Sequence, residues 1–148
     1  MKTKLIALSI VAFAFTACDK NDDPIPAPAV IPTGSWKLVE LHHYDKSGKD
    51  SAKTTLPSTS TLAIGFDKTK SRAAFEGKPG MVTIKGGYKL EGDYKLKVDS
   101  IISNNPALTD LDIKTFDFLN AGFKYEVKKD TVIIYAKNKG FMLYSPVK

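Results

Sequence analysis

The chain is poor in cysteine, arginine and histidine, and each shortage excludes something. Cys18 is the single cysteine among 148 residues. With no second cysteine there is no internal disulfide, no thiol-pair redox centre and no cysteine-based zinc site, so stability must come from the core. Arg72 is the single arginine. Nucleic-acid readers rely on arginine for bidentate base contacts and cluster their charge. Here lysines alternate with acids along Lys89–Asp99 (KLEGDYKLKVD), as on the wet face of a sheet, which argues against DNA or RNA as a partner. There is no Gly-x-Ser-x-Gly elbow and no glycine-rich loop ending in Lys-Ser/Thr, so neither a hydrolase nucleophile nor a phosphate cradle is signalled.

What is present describes one globular domain. Hydrophobic residues make up 43% and charged residues 26%, which is ordinary for a folded protein. The length suits one domain with a real core.

Residues 1–18 read MKTKLIALSIVAFAFTAC. Lys2 and Lys4 precede an apolar run from Leu5 to Ala17 that falls short of the roughly 20 residues a spanning helix needs. The layout is that of a secretory signal. Phe15-Thr16-Ala17 before Cys18 resembles a bacterial lipobox, with Phe15 where leucine is usual. That resemblance implies lipidation of Cys18, cleavage on its amino side and anchoring to a membrane. Several acyl chains hold firmly, at about 0.8 kcal/mol per buried CH₂. Loss of residues 1–17 lowers the formal charge of +6 by two lysines, to +4.

Residues 18–33 comprise the acylated cysteine and a tether, with prolines at 24, 26, 28 and 32 that favour an extended chain. The acidic cluster Asp19, Asp22 and Asp23 resembles a signal that exports lipoproteins to the outer leaflet of the outer membrane. Surface exposure is therefore expected there, with the periplasmic face as the alternative.

The folded domain spans residues 34–148. Thr109–Gly122 (TDLDIKTFDFLNAG) is its one expected helix. Thr109 and Asp112 form a capping box, and Asp110 and Asp112 suit the positive end of the dipole. Leu111, Phe118, Leu119 and Gly122 recur at helical spacing, widened by Ile113 and Phe116. Gly122 stands where a left-handed terminating residue is expected.

Around that helix the sequence reads as strand. Gly34–Tyr44 alternates from Trp36 and Leu38 and then changes parity at Val39 and Leu41, which predicts a bulge or a strand buried on both faces. Asp45–Ser60 reads as an exposed loop. Thr61–Phe66 and Ser71–Glu76 follow as strands, then a Gly77–Gly80 turn and a short extended piece, Met81–Lys85. Gly86–Glu91 and Tyr94–Ile102 form a hairpin, with Tyr88, Leu90, Leu96 and Val98 facing inward. Phe123–Lys128, Thr131–Lys137 and Phe141–Tyr144 close the chain as a meander. The expected fold is mostly β (α+β), a small antiparallel barrel or sandwich of about eight strands with one helix.

In this order the pieces GSWKLVEL, TLAIGF, GGYKLEGDYKLKV, FDFLNAGFKYEVKKDTVIIY and KGFMLY resemble the META (HslJ-like) family of bacterial envelope lipoproteins. The resemblance spans nearly all of Gly34–Tyr144. It implies a small domain linked to stress or drug tolerance, with no established enzymatic activity and no cofactor. The chain departs from the family at Gly77-Lys78-Pro79, where a Gly-Cys-Asn turn is usual, and at Ser103–Ala107 before the helix.

Candidate chemistry is sparse. Adjacent strand residues point to opposite faces, so His42 and His43 cannot share a metal ion. Glu40 and His42 share a face, but a third ligand is not evident, and no metal site is expected. Glu76, Glu91, Asp93 and Asp99 could act as acid and base only if the fold paired two of them in a cleft. Most aromatics are expected in the core, with one or two lining a groove. The preferred reading is a non-enzymatic, monomeric envelope lipoprotein, anchored through Cys18 and acting on a protein or surface partner. A lipocalin-like small-molecule binder, suggested by the opening Gly-x-Trp, and a hydrolase with a hidden carboxylate pair are the alternatives.

Overall fold

A computed structural model describes residues 29–148. The signal sequence, Cys18 and most of the tether lie outside the described residues. Among the described residues nine antiparallel strands form a single curled, barrel-like sheet, accompanied by one helix. In chain order the strands are β1 (Ser35–Tyr44), β2 (Asp50–Thr55), β3 (Ala63–Asp67), β4 (Arg72–Gly77), β5 (Ile84–Leu90) and β6 (Leu96–Ser103). The helix α1 (Asp110–Asn120) follows, then β7 (Gly122–Lys128), β8 (Thr131–Ala136) and β9 (Gly140–Pro146). The order across the sheet is β6-β5-β4-β3-β1-β9-β8-β7, with β2 paired to β1. The two ends of this order meet at a bridge between Lys95 and Lys124, where the Tyr125 N–H donates to the Tyr94 carbonyl at 2.9 Å.

The parity change in β1 is a bulge. Leu38 pairs with Tyr144 and Glu40 with Leu143, leaving Val39 as the extra residue. Leu38 and Leu41 are thereby both turned inward and fully buried. At the same point β1 changes neighbours: Ser35–Lys37 pair with β3 and Glu40–Tyr44 with β2.

Strand β2 lies within the stretch expected to be loop. It is an edge strand with mostly exposed side chains, and its Ser, Thr and Lys residues carry no apolar alternation for a sequence to display. The Gly86-Gly87 pair, expected at a strand start, lies inside β5. The Phe75 ring of β4 covers Gly86, so a side chain there would meet ring carbons within 2.9 Å.

The interior is filled by side chains. Tyr88, Tyr125, Tyr144, Phe75, Leu38, Leu41, Ile64 and Ile134 are among its largest fully buried members. Tyr88 donates to the Leu119 carbonyl at 2.6 Å and so ties α1 to the core. Burial pushes the Tyr88 hydroxyl well above its ordinary range, with the neighbouring Tyr144 adding to it.

The helix begins as expected. Thr109 is its N-cap, and both halves of the capping box with Asp112 are present. Its buried face differs from the apolar stripe expected: Asp112, Thr115, Phe118 and Leu119 are buried, whereas Ile113 is 45% exposed. Two of the four buried positions are polar because they meet backbone. Thr115 Oγ1 donates to the Leu111 carbonyl at 2.7 Å, and the Asp112 carboxylate accepts from the Gly80 N–H at 3.0 Å. Gly122 is the first residue of β7 rather than a left-handed cap; its Cβ position is occupied by the Tyr88 ring. Among the described residues no helix is long and apolar enough to cross a membrane.

Candidate functional site: an aromatic groove on the outer face

Cross-strand register builds one row on the outer face of the sheet. Lys53 of β2 pairs with His42 of β1, His42 with Phe141 of β9, Phe141 with Tyr135 of β8, and Tyr135 with Lys124 of β7. The His42 and Phe141 rings are stacked, with centroids 4.2 Å apart and an interplanar angle of 12°. Tyr44 and Tyr135 each tilt against Phe141, with centroids at 6.1 Å in both pairs. Such direct pairs on one face stabilise a sheet and fix ring positions.

Hydrogen bonds clamp both ends of the row. His42 Nδ1 lies 2.8 Å from an Asp50 carboxylate oxygen and Nε2 lies 2.9 Å from Glu40. Lys53 meets the other Glu40 oxygen at 2.9 Å. The Lys53 and His42 side chains hydrogen-bond the Glu40 carboxylate and hold its carboxyl below the ordinary value. Glu40 and Asp50 therefore bracket the imidazole on opposite nitrogens instead of converging with it on one point. Among the described residues no group of three or more His, Cys, Asp or Glu side chains is placed to hold a metal ion. His43 faces away from His42, with its ring edge-on to Phe118 at 5.0 Å. Burial lowers the His43 pKa, with Lys114 and His42 adding to it.

At the other end, the Tyr135 hydroxyl donates to Glu126 at 2.7 Å. Burial and this bond push the phenol up to about 12 from 10.0. A raised phenol pKa contributes stability below pH 10 that is lost as pH rises through about 12. Ultraviolet titration of Glu126→Ala is expected to bring one tyrosine partway back toward 10, as the bond and the carboxylate charge are removed while the burial stays. An unchanged titration curve would remove Glu126 as the cause.

The row leads into a surface groove of about 590 Å³ between the β1–β2 turn, the β8–β9 turn and the start of β7. Tyr44, Phe123, Tyr135, Lys46 and Lys137 line it. Phe123 is 45% exposed, because the bulge between Gly122 and Lys124 turns it outward. Asp45 also lines the groove, but its Oδ1 is engaged by the Ser47 hydroxyl and by the N–H groups of Ser47 and Lys49.

Of the carboxylates considered as an acid–base pair, Glu91 and Asp99 line one open surface pocket together with Arg72 and Lys89. Asp99 meets Arg72 at 3.0 Å and Lys89 at 3.8 Å, and Glu76 meets Lys85 at 3.6 Å. Glu91 and Asp93 sit exposed around the β5–β6 turn. The sequence reading paired Glu40 with His42 and missed Asp50, whose strand shows no alternation. It missed Tyr44 as a groove residue as well; an aromatic ending an amphipathic strand beside a polar turn is the signal that was available.

Neither family models nor curated proteins give a match to this chain. Among solved structures, an NMR structure of a protein from Burkholderia xenovorans is similar in fold, with a TM-score of 0.52 at 16% identity, covering 86% of this chain and 97% of that one. At that identity the likeness shows a shared fold alone.

Proposed function

We propose that this protein is a META-like lipoprotein of the bacterial envelope, held to the outer membrane by lipid on Cys18, and that it works by contact rather than catalysis. The observation that carries this reading is where the tether joins the domain. The Val30 N–H donates to the Tyr94 hydroxyl at 3.0 Å, Pro32 is buried, and the Trp36 indole donates to the Thr33 carbonyl at 3.1 Å. The chain thus runs past Tyr94 into the Ser35 end of β1, and the aromatic groove opens at the Tyr44 end of that strand. A tether docked along Tyr94 and Trp36, with the groove left open at the other end of β1, suits a monomer presenting a surface to an envelope partner. The packed interior also favours contact over the enclosed ligand that a lipocalin-like binder needs.

Mass spectrometry and membrane fractionation of the full chain test the anchor. The expected product begins at an acylated Cys18 and partitions into detergent, whereas Cys18→Ser is released to the aqueous fraction. A wild-type chain cleaved elsewhere and recovered without lipid would overturn the proposal. Protease treatment of whole cells then separates the outer leaflet from the periplasmic face.

A further inference from the structure

We infer that the groove beside Tyr44 and Tyr135 is a binding site for an acidic sugar, one or two pyranose rings bearing a carboxylate such as a uronic acid. Three observations carry this, none of which depends on the lipid anchor.

The first is the shelf itself. Tyr44 and Tyr135 lean on Phe141, which stacks on a histidine gripped by two carboxylates. Rings held this way lose little further freedom when a ligand lies on them, which is the physical content of preorganisation. Aromatic faces are electron-rich, and the C–H face of a pyranose carries partial positive charge, so the two surfaces attract.

The second is charge. Lys46 and Lys137 line the groove, and among the described residues neither has a carboxylate within ion-pair distance. Asp45, the acid in the lining, already accepts three hydrogen bonds from its own turn through one oxygen. The rim thus offers two ammonium groups against one internally bonded carboxylate. The next nearest acids are engaged, Asp50 by His42 and Glu126 by the Tyr135 hydroxyl and Lys128, which favours a negatively charged ligand.

The third separates a sugar from an extended peptide. Strand addition needs unpaired backbone groups, and here they are taken. Around the groove the Tyr44 N–H donates to Lys139, Asp45 to Lys49 and Lys137 to Ala121, each at 2.8 Å. Recognition is left to ring faces and side-chain donors. A volume of about 590 Å³ is also within the range of compact ligand sites.

Isothermal titration of the full chain in detergent with tetragalacturonate, and with neutral maltotetraose, tests the site. The acidic oligomer is expected to bind at least about tenfold more tightly than the neutral one. Tyr44→Ala weakens binding about tenfold. The double variant Lys46→Glu/Lys137→Glu weakens the acidic oligomer about tenfold and leaves the neutral one within about twofold. Both lysines are exposed, so this variant remains a fair test even if Tyr44→Ala fails to fold. Absence of binding, equal affinity for the two oligomers, or unchanged affinity in the lysine variant overturns the inference. A dimer whose formation blocks the groove would assign it to a second copy of the chain and overturn it equally.

Discussion

Replacing Asp112 by alanine is expected to lower the unfolding free energy by about 2–4 kcal/mol, since backbone donors left without an acceptor cost about 1–3 kcal/mol each. Asp112 is fully buried. Its carboxylate accepts from the Thr109 hydroxyl at 2.6 Å, the Thr109 N–H at 3.0 Å, the Gly80 N–H at 3.0 Å and the Met81 N–H at 3.2 Å. One side chain thus caps α1 and pins the β4–β5 loop to it. Without the carboxylate, backbone donors on both segments lose their acceptor in a site closed to water. Asp112→Asn keeps one acceptor oxygen but turns an amide toward N–H groups, and about half the loss is expected. Urea unfolding at pH 7 measures both. A change below about 1 kcal/mol for alanine would show that water replaces the carboxylate and that the hub is not what holds the loop.

The same residue predicts acid sensitivity. Burial alone would raise its pKa, but hydrogen bonds from Thr109, Met81 and Val82 prevail and hold it below the ordinary 3.8. A depressed carboxyl contributes stability that is fully present above the unfolded value and disappears as pH falls through the folded one. The wild type should therefore lose more stability than Asp112→Asn on going from pH 7 to about pH 3. Equal losses would place the acid sensitivity elsewhere.

The second large effect is at Gly122. A Cβ there would meet the Tyr88 hydroxyl at 2.7 Å and two ring carbons at 2.9 Å. Tyr88 is fully buried and its hydroxyl is held by Leu119, so the ring cannot yield cheaply. Gly122→Ala should cost about 2–3 kcal/mol, the scale of overpacking in a dense core. In a Tyr88→Leu background the same change should cost under about 1 kcal/mol, because the obstructing ring is gone. This cycle separates two readings of one glycine. If Gly122 were a left-handed helix cap, asparagine would be tolerated better than alanine, and Tyr88 would not matter. The close approach of ring and backbone predicts the opposite: asparagine, being larger, does worse than alanine.

Legibility followed where each residue's constraint originates. The mostly-β class, the helix with its Thr109–Asp112 cap and the parity break in β1 were all readable, because each is set by local chemistry, whereas the register with β9 decided that the break is a bulge. A capping box is made within four residues, and a parity change is visible in the alternation itself. The tertiary structure decided what depends on partners distant in sequence. Strand β2 exists because β1 offers it an edge, since its own residues carry no pattern. Asp112 is buried because Gly80 and Met81 arrive from another hairpin with unsatisfied N–H groups. Gly122 is glycine because Tyr88 lies across it. The aromatic row is assembled from strands far apart in the chain, so its rings become neighbours only through register. A sequence records side-chain type and spacing along one strand; the distances between strands, and hence the groove, come from how the sheet curls.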